Sequence, residues 1–345
     1  MSKRTVFALS ICAVMSAVTV CGVRAQAPGG GGGRGAGPGG GFGGGGFGGA
    51  APGGRGGRGG RGGGFGAPPG PPAPVPPEVA IPRPTTDELA KINADLQQFA
   101  STSPDRNLLE KYQSLLTVQM PRDNPCIRPA AGVRNGRHQA FVDTAKNNNS
   151  DILFYGDSIT DLLNSEADGQ GNPGGKPQVE KYFGDAKIAN FGVSGDTTQG
   201  ILWGLQNGEG RNGDTPVAMQ PKAIMLMIGT NSTGNASGPE IAEGIGAVVL
   251  ELRKDFPGAK ILLMAIFPRG TGPSDSNRIK VEEANKIIAK LDDKQHVFFM
   301  SINDKFLDDK GGLVGFRESD HLHPVTQGFD IWMSSVAPTL KGWAQ

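Results

Sequence analysis

Apolar residues in the second half of the chain fall into short, nearly continuous runs, and the segments between them have helical spacing. Such runs are typical of strands buried on both faces, and the intervening segments are typical of covering helices. The predicted strands are residues 151–155, 187–191, 223–228, 260–267 and 296–300. The clearest helices between them are residues 238–255 and 275–291. This alternation predicts an α/β fold with a parallel sheet covered on both faces.

Three further helices are predicted before the first strand. The first begins at Thr85, which has the spacing of a capping box with Glu88 and precedes apolar residues at helical spacing. The second fits residues 107–118, and the third lies near residues 137–148. All three are interpreted as packing helices.

The N-terminus has the pattern of a secretory signal peptide. Lys3 and Arg4 precede an apolar run, and residues 23–25 have the small-x-small pattern of a cleavage site. We therefore predict that residues 1–25 are a cleaved signal peptide and that the protein is secreted to the periplasm or the exterior. No other segment reaches the roughly 18 consecutive apolar residues of a membrane span, so none is expected after cleavage.

Residues 26–84 are a glycine tract that passes into a proline tract, with 27 glycines between Pro28 and Pro77. This composition buries too little apolar surface to offset the entropy of ordering, so we predict a disordered linker. Residues 85–345 are long enough for a single core and form the predicted catalytic domain with its N-terminal helices. The whole chain has a net charge of +1, but this domain has 26 basic and 32 acidic side chains. That balance argues against nucleic acid or an anionic membrane as its partner.

Polar and small residues follow the predicted strands where ligand sites of parallel sheets lie, at the carboxyl ends. These groups are residues 156–160, 190–196 and 229–231, and a fourth polar group near the C-terminus is residues 320–324. None suits an apolar core. The sequence therefore predicts a functional site built from all four groups.

A serine nucleophile in the first group needs a base, and histidine is the natural base near neutral pH. Asp320 and His323 are three residues apart, which on one helical turn would make their side chains neighbours. The carboxylate would then hold Nδ1–H of the imidazole and leave Nε2 facing Ser158, as in a Ser–His–Asp triad. His138 and His296 are set aside because one lies in a helix before the sheet and the other opens a strand.

The oxyanion of a tetrahedral intermediate needs preorganised hydrogen-bond donors. Three candidates are the backbone N–H groups of Ser158 and Gly195 and the side-chain amide of Asn231. Ser194 is a rival nucleophile, but it lacks the glycine two residues later that a nucleophile elbow requires. Ser158 fails the same test, so the site is not that of the usual α/β-hydrolases.

Four motifs resemble the blocks of the SGNH (GDSL-type) hydrolases: GDSIT, NFGVSGDTTQGILWGL, MIGTNST and DHLHP. They occur in order within residues 137–330. The second motif, with NGEG, PKAIMLMIGTN and AIFPRG, is most similar to the catalytic subunits of intracellular platelet-activating factor acetylhydrolases. The resemblance implies a flavodoxin-like three-layer α/β/α sandwich with a five-stranded sheet in the order 2-1-3-4-5.

The resemblance also implies the roles of individual residues. The implied catalytic residues are Ser158 as nucleophile, Asp320 as orienting carboxylate and His323 as general base and then acid. The implied oxyanion donors are Gly195 and Asn231. The implied acyl pocket is lined by Ile159, Thr230 and Leu322. A small acyl group, acetyl first, is expected, with no metal and no cofactor.

The sequence therefore favours a secreted serine esterase that cleaves small acyl esters of carbohydrates or small molecules, since bacterial relatives in the family often deacetylate carbohydrates. One alternative is a non-catalytic glycan- or cell-wall-binding module that keeps the fold, although such a module does not need the base His323. Another is a metal-dependent phosphoesterase that uses Asp157, Asn231 and His323. Trp203 and Tyr155 have rings that suit stacking on a sugar, but core packing is the simpler interpretation.

Overall fold

The computed structural model describes residues 68–166, 174–210 and 218–345. A parallel sheet lies at its centre, with the strands β1 (Ile152–Gly156), β2 (Ile188–Gly192), β3 (Ala223–Met227), β4 (Lys260–Met264) and β5 (Val297–Met300). The strand order is β2-β1-β3-β4-β5, which is the order that the family resemblance implies. The connection from β1 leads to β2 on one side of β1, and the later strands are added on the other side, so the strand order reverses between β1 and β3. Parallel sheets bind their ligands at such a switch point.

Helices pack on both faces of the sheet. In chain order, the helices of the described residues are α1 (Thr86–Thr102), α2 (Arg106–Lys111), α3 (His138–Asn147), α4 (Ser158–Asp161), α5 (Lys176–Phe183), α6 (Thr198–Gly204), α7 (Gly238–Asp255), α8 (Ser276–Ile288) and α9 (Thr326–Ala344). Of these, α1 and α2 pack on each other and contribute no residue to the apolar clusters of the sheet. Successive side chains of a strand point to opposite faces. Leu153 and Tyr155 of β1 accordingly belong to an apolar cluster with α3, α6, α7 and α8, whereas Ile152 and Phe154 belong to one with α5 and α9. The predicted three-layer sandwich is confirmed.

The strand boundaries follow the apolar pattern, with one exception in β4, whereas α8 ends at Ile288, three residues before its predicted end, and passes into a 3₁₀ turn over Ala289–Leu291. The other strands begin and end within one residue of their predicted bounds, and α7 has the predicted bounds. β4 ends at Met264, although the apolar run continues through residues 265–267. Those three residues are buried, but pairing with β5 ends at the N–H of Ala265, which donates to the carbonyl of Met300 at 2.8 Å, and the next N–H, that of Ile266, donates to Oδ1 of Asn285 at 2.8 Å. Burial and strand pairing end at different residues here, and the sequence pattern reports only burial.

The helices before the sheet match the prediction in part. Thr85 and Glu88 make both hydrogen bonds of the predicted capping box at the start of α1. The second predicted helix is shorter than expected, because α2 ends at Lys111 and a 3₁₀ turn covers Gln113–Leu116. No helix in the described residues is both long enough and apolar enough to cross a membrane.

Residues 68–84, which we call the proline strap, pack against α7. Val79 is 3% exposed, and a Cβ atom placed on Gly246 would lie 2.6 Å from a methyl carbon of Val79. Arg83 makes a bidentate ion pair with the buried carboxylate of Glu243, at 2.7 and 2.8 Å. The strap is therefore an ordered part of the domain.

The prediction of a disordered linker over residues 26–84 is thus wrong for residues 68–84. Proline loses little conformational freedom on folding, so a few apolar contacts and one ion pair offset the ordering of this segment. The predicted signal peptide, residues 1–25, and residues 26–67 of the predicted linker lie outside the described residues.

Candidate active site

Ser158 lies at the turn from β1 into the short helix α4. The preceding glycine, Gly156, is required there, since a Cβ atom on it would lie 2.1 Å from Oγ1 of Thr160. Asp157 is the N-cap of α4, and its Oδ1 accepts a hydrogen bond from the N–H of Ile159 at 3.0 Å. This turn holds the half-buried Ser158 at the carboxyl edge of the sheet.

His323 and Asp320 lie in a loop before α9, and the structure brings both to Ser158. His323 Nε2 is 2.9 Å from Ser158 Oγ, and His323 Nδ1 is 2.8 Å from Asp320 Oδ2. The loop is not the helical turn that the spacing suggested, because His321 has a left-handed φ of 48°. Instead, Asp320 Oδ1 accepts the backbone N–H groups of Leu322 and His323 at 3.0 and 3.1 Å. The carboxylate itself folds the turn that presents the imidazole.

The charge of Asp320 fixes the direction of proton transfer in this group. Burial raises the pKa of the carboxyl, but the hydrogen bonds from His323 and Leu322 outweigh burial and leave the pKa below its usual value. An ionised carboxylate only accepts hydrogen bonds, so the imidazole carries its proton on Nδ1. Nε2 is then the acceptor for the hydroxyl proton of Ser158.

Gly195 and Asn231 lie beside each other at the ends of β2 and β3. The N–H of Val193 donates to the carbonyl of Gly156 at 3.2 Å, which fixes the loop after β2 against the turn that leads to Ser158. Gly195 has a left-handed φ of 82°. The Asn231 amide donates to the carbonyl of Asp196 at 2.8 Å. Both predicted oxyanion donors are therefore held by the same short loop.

The rival Ser194 has a different environment. Its hydroxyl donates to Oδ2 of Asp161 at 3.1 Å, and its side chain is exposed. Within the described part of the chain, no hydrogen bond joins this hydroxyl to a histidine. The geometry thus favours Ser158 over Ser194 as the nucleophile.

A buried ionic cluster, which we call the arginine network, supports the loop after β2 that contains Gly195 and Asp196. Arg134 is fully buried, and its guanidinium donates to Oδ2 of Asp196 and to Oε2 of Glu209, both at 2.8 Å. His138 Nδ1 lies 2.8 Å from the other oxygen of Glu209. Arg134 therefore fixes Asp196, whose carbonyl anchors Asn231.

Sequence reasoning missed most of this network. Asp196 and Glu209 lie in or beside the second family motif, so they carried a signal, but Arg134 did not, since one buried arginine has no periodicity. His138 had been set aside as a helix residue. Its ring packs on Trp203, with the ring centroids 4.4 Å apart.

The residues of the predicted acyl pocket lie near the candidate nucleophile. Ile159 and Thr230 are buried, whereas Leu322 is half-buried and packs against the same apolar cluster as Ile159. Thr230 Oγ1 accepts a hydrogen bond at 3.0 Å from Arg269, which the sequence did not single out. Tyr155 is fully buried, so it is not available to stack on a sugar.

Two further groups have altered pKa values. Burial raises the pKa of Asp157 to about 7, although the hydrogen bond from Ile159 lowers it. Burial also raises the pKa of the Cys126 thiol to about 11, which leaves the thiol protonated at neutral pH. No three His, Cys, Asp or Glu side chains within residues 68–166, 174–210 and 218–345 converge as a set of metal ligands.

The family of the chain follows from comparison with known proteins. The GDSL-like Lipase/Acylhydrolase family matches residues 154–331, slightly more than half of the chain. The chain belongs to this family. It is therefore a carboxylic-ester hydrolase, as its four motifs predicted.

Individual relatives agree with this family. The GDSL-family chain is similar to the platelet-activating factor acetylhydrolase IB subunit alpha2 of Gallus gallus, with 30% identity over 190 residues, 54% of this chain and 74% of the relative. The Homo sapiens protein of the same name is 29% identical over 196 residues, 56% of this chain and 77% of the relative. Among solved structures, a GDSL-like lipase from Bacteroides thetaiotaomicron has a TM-score of 0.46 and 14% identity, covering 61% of this chain and 98% of that chain. The predicted similarity to these acetylhydrolase subunits is confirmed.

Proposed function

We propose that this GDSL-family chain is an exported serine esterase that removes small acyl groups, acetyl first, from esters of carbohydrates or small molecules. One observation carries the proposal. Ser158 Oγ, the His323 imidazole and the Asp320 carboxylate form a continuous line of contacts at 2.9 and 2.8 Å. Such a line has no use in packing or binding, because it aligns a hydroxyl, a base and an orienting carboxylate.

The reaction takes two steps. Ser158 Oγ attacks the ester carbonyl carbon while its proton passes to Nε2 of His323, and Asp320 stabilises the imidazolium. The N–H groups of Ser158 and Gly195 and the amide of Asn231 donate hydrogen bonds to the oxyanion. The imidazolium then protonates the leaving alcohol as the C–O bond breaks. Water, with its proton taken by His323, attacks the acyl-enzyme and releases the acid and the serine.

The preference for a short acyl group rests on the pocket residues. Ile159 and Thr230, which the family resemblance places along the acyl group, are buried side chains. Arg269 donates from one nitrogen to both the carbonyl and the hydroxyl of Thr230, at 2.9 and 3.0 Å, and so keeps that wall in place. A long chain would have to displace these packed groups. The predicted signal peptide supports export, and export favours a polysaccharide or a small extracellular ester as substrate.

Hydrolysis of p-nitrophenyl acetate by the full chain tests the role of Ser158. Ser158→Ala should lower kcat by at least about 10³-fold, because the covalent step is lost. Ser194→Ala is the matched control, since this serine follows the neighbouring strand, and it should leave kcat within about two-fold. Equal activity of the Ser158→Ala variant and the wild type would show that Ser158 is not the nucleophile.

A substrate panel tests the acyl and alcohol halves. The enzyme should prefer p-nitrophenyl acetate to the decanoate, and Ile159→Ala should reduce that preference by enlarging the pocket. Acetylated xylan and acetylated monosaccharides then identify the alcohol half. Polysaccharide binding without hydrolysis of any ester would favour the glycan-binding alternative instead.

A further inference from the structure

Arg278 is a buried arginine in the first turn of α8, and it is 1% exposed. Its guanidinium donates to three backbone carbonyls: Nε to Arg269 at 2.7 Å, Nη1 to Gly311 at 2.5 Å and Nη2 to Gly270 at 3.1 Å. Within the described residues it forms no ion pair with a carboxylate. A buried cation is usually paired with a carboxylate. This guanidinium instead fixes the conformation of the backbone segments whose carbonyls it binds.

The three carbonyls belong to two loops that also contact each other. Arg269 and Gly270 lie in the loop after β4, and Gly311 lies in the loop after β5. A Cβ atom placed on Gly311, whose φ is 77°, would lie 2.6 Å from Pro273 of the first loop. Arg278 therefore ties both loops to the start of α8.

The first loop supports the oxyanion side of the candidate site. Nη1 of Arg269 donates to the carbonyl and hydroxyl of Thr230 and to the hydroxyl of Thr233, at 2.9, 3.0 and 3.3 Å. These two threonines flank Asn231 in its 3₁₀ turn. Moving Arg269 would therefore move the amide of Asn231.

The same loop also supports the base side. The N–H of Gly270 donates to the carbonyl of His321 at 2.9 Å, two residues before His323. Adjacent residues of one loop thus contact the turn that bears the oxyanion donor and the turn that bears the base. The carbonyls of both, at 269 and 270, are held by Arg278.

We propose that Arg278 is a positioning residue that sets the separation between the Asn231 amide and the His323 imidazole. The inference rests on the proposed function, because it assigns a role within that reaction. The fork of a guanidinium holds three carbonyls in one plane, whereas a lysine ammonium is a single point charge. Without the fork, the loop between the two turns is free to shift. A misplacement of about 1 Å costs on the order of 10²-fold in rate.

The test uses Arg278→Lys and Arg278→Gln in the full chain, assayed with p-nitrophenyl acetate well below the unfolding temperature. We expect kcat to fall about 10- to 100-fold with KM changed less than about three-fold. The acid limb of the pH–kcat profile should stay in place, because the contact of Asp320 with His323 lies within its own turn. A purely structural role would lower the unfolding temperature without lowering kcat of the folded enzyme.

Arg253→Gln is the matched control. Arg253, in the last turn of α7, also donates to backbone carbonyls, those of Pro257 and Ala259 at 3.4 and 3.2 Å. These carbonyls precede β4, at the amino ends of the strands, whereas Ser158 lies at the carboxyl ends. This variant should keep kcat within about two-fold of the wild type.

Arg269→Gln breaks only the contact with Thr230 and Thr233, and it decides the matter if the Arg278 variants do not fold. It should lower kcat, and adding it to Arg278→Gln should cause little further loss, since both act through one loop. Folded Arg278 variants with wild-type kcat, or an unchanged Arg269→Gln enzyme, overturn the inference. Failure of the proposed function would give a different result: the esterase activity of the wild type would survive the substitution Ser158→Ala.

Discussion

The two sides of the candidate site are built in different ways. On the oxyanion side, Asn231 is anchored to Asp196, and Asp196 belongs to an ionic network in which Arg134 and Glu209 are fully buried. On the base side, the side chains of Asp320 and His323 are 31% and 22% exposed, and their contacts lie mostly within one short turn. One side is part of the core, and the other is a self-contained loop.

This difference matches the work that the proposed mechanism gives to each side. Oxyanion donors act only if they are already in place when charge develops, so they gain from a rigid, buried support. A base must exchange protons with the leaving alcohol and with water, so it gains from partial exposure. We therefore expect substitutions on the base side to lower turnover with little change in stability. Substitutions in the arginine network should lower stability first.

The largest effect is expected from Asp320→Asn. The amide keeps the size of the carboxylate, but it no longer fixes the proton on Nδ1 of His323 or stabilises the imidazolium. Turnover should fall on the order of 10³–10⁴-fold. The free energy of unfolding should change by about 1 kcal/mol or less, because the pair is partly exposed. Initial rates and urea unfolding of the same preparation measure the two quantities.

Asp293→Asn is the control for that substitution. Asp293 also caps backbone N–H groups beside a histidine, those of Gln295 and His296 at 2.8 and 2.7 Å, at the opposite edge of the sheet. The Asp293→Asn variant should keep the activity of the wild type, and its free energy of unfolding should fall by no more than about 1 kcal/mol. If Asp320→Asn instead lowered stability strongly and left kcat unchanged, the base side would be structural and the comparison would fail.

The next largest effect is expected from Arg134→Met. It leaves Asp196 and Glu209 buried without their cation, which should cost about 3–5 kcal/mol in urea unfolding. Turnover should fall as well, since Asp196 anchors Asn231. Arg137→Met is the matched control: this neighbouring arginine is 45% exposed and pairs with Asp161 at 3.3 Å, so its loss should cost less than about 1 kcal/mol.

The triple variant Arg134→Met, Asp196→Asn, Glu209→Gln separates charge burial from packing. It removes the unpaired carboxylates, so it should recover much of the stability that Arg134→Met loses. If the single variant cost no more than Arg137→Met, the network would not be the rigid support that the comparison assigns to it.

Much of the fold could be predicted, because the strands are nearly continuous apolar runs and the covering helices bury an apolar face at helical spacing. The error in β4 shows the limit of that signal: residues 265–267 are as apolar as a strand, but at Ile266 the side chain of Asn285 replaces the neighbouring strand as hydrogen-bond partner. The proline strap shows the opposite limit. Its composition predicts disorder, whereas Val79 and Arg83 find specific partners on α7 that no local pattern reveals.

The candidate site divides in the same way. Ser158, Asn231, Asp320 and His323 follow strands or stand in motifs, so the sequence could name them, and the structure joins three of them, Ser158, His323 and Asp320, by direct contacts. The supporting residues could not be named. Arg134 and Arg278 are single arginines outside the motifs, and arginine is usually a surface residue. Their burial arises from loops that meet only in the folded chain.

The smallest expected effect concerns pH, where the carboxyls of Asp157 and Asp320 should change the stability with opposite sign. Burial raises the pKa of Asp157, next to Ser158, to about 7. The folded state then binds that proton more tightly than the unfolded state, so stability should fall as the pH rises from about 4 to about 7. The pKa of Asp320 is instead below its usual value, so its contribution is present at neutral pH and is lost as the pH falls through the acid range.

Urea unfolding across pH 4 to 8 measures the contribution of Asp157. The difference between a pKa near 4 in the unfolded chain and about 7 in the folded one corresponds to at most about 4 kcal/mol, and a loss of about 2–4 kcal/mol across the window is expected. Asp157→Asn should remove that slope and keep the N-cap of α4, because the amide oxygen still accepts the N–H of Ile159. Asp161→Asn, on the same helix and partly exposed, should leave the slope in place. An unchanged slope in Asp157→Asn would mean that another group titrates in this range. The pH dependence of stability would then not come from the carboxyl beside the candidate nucleophile.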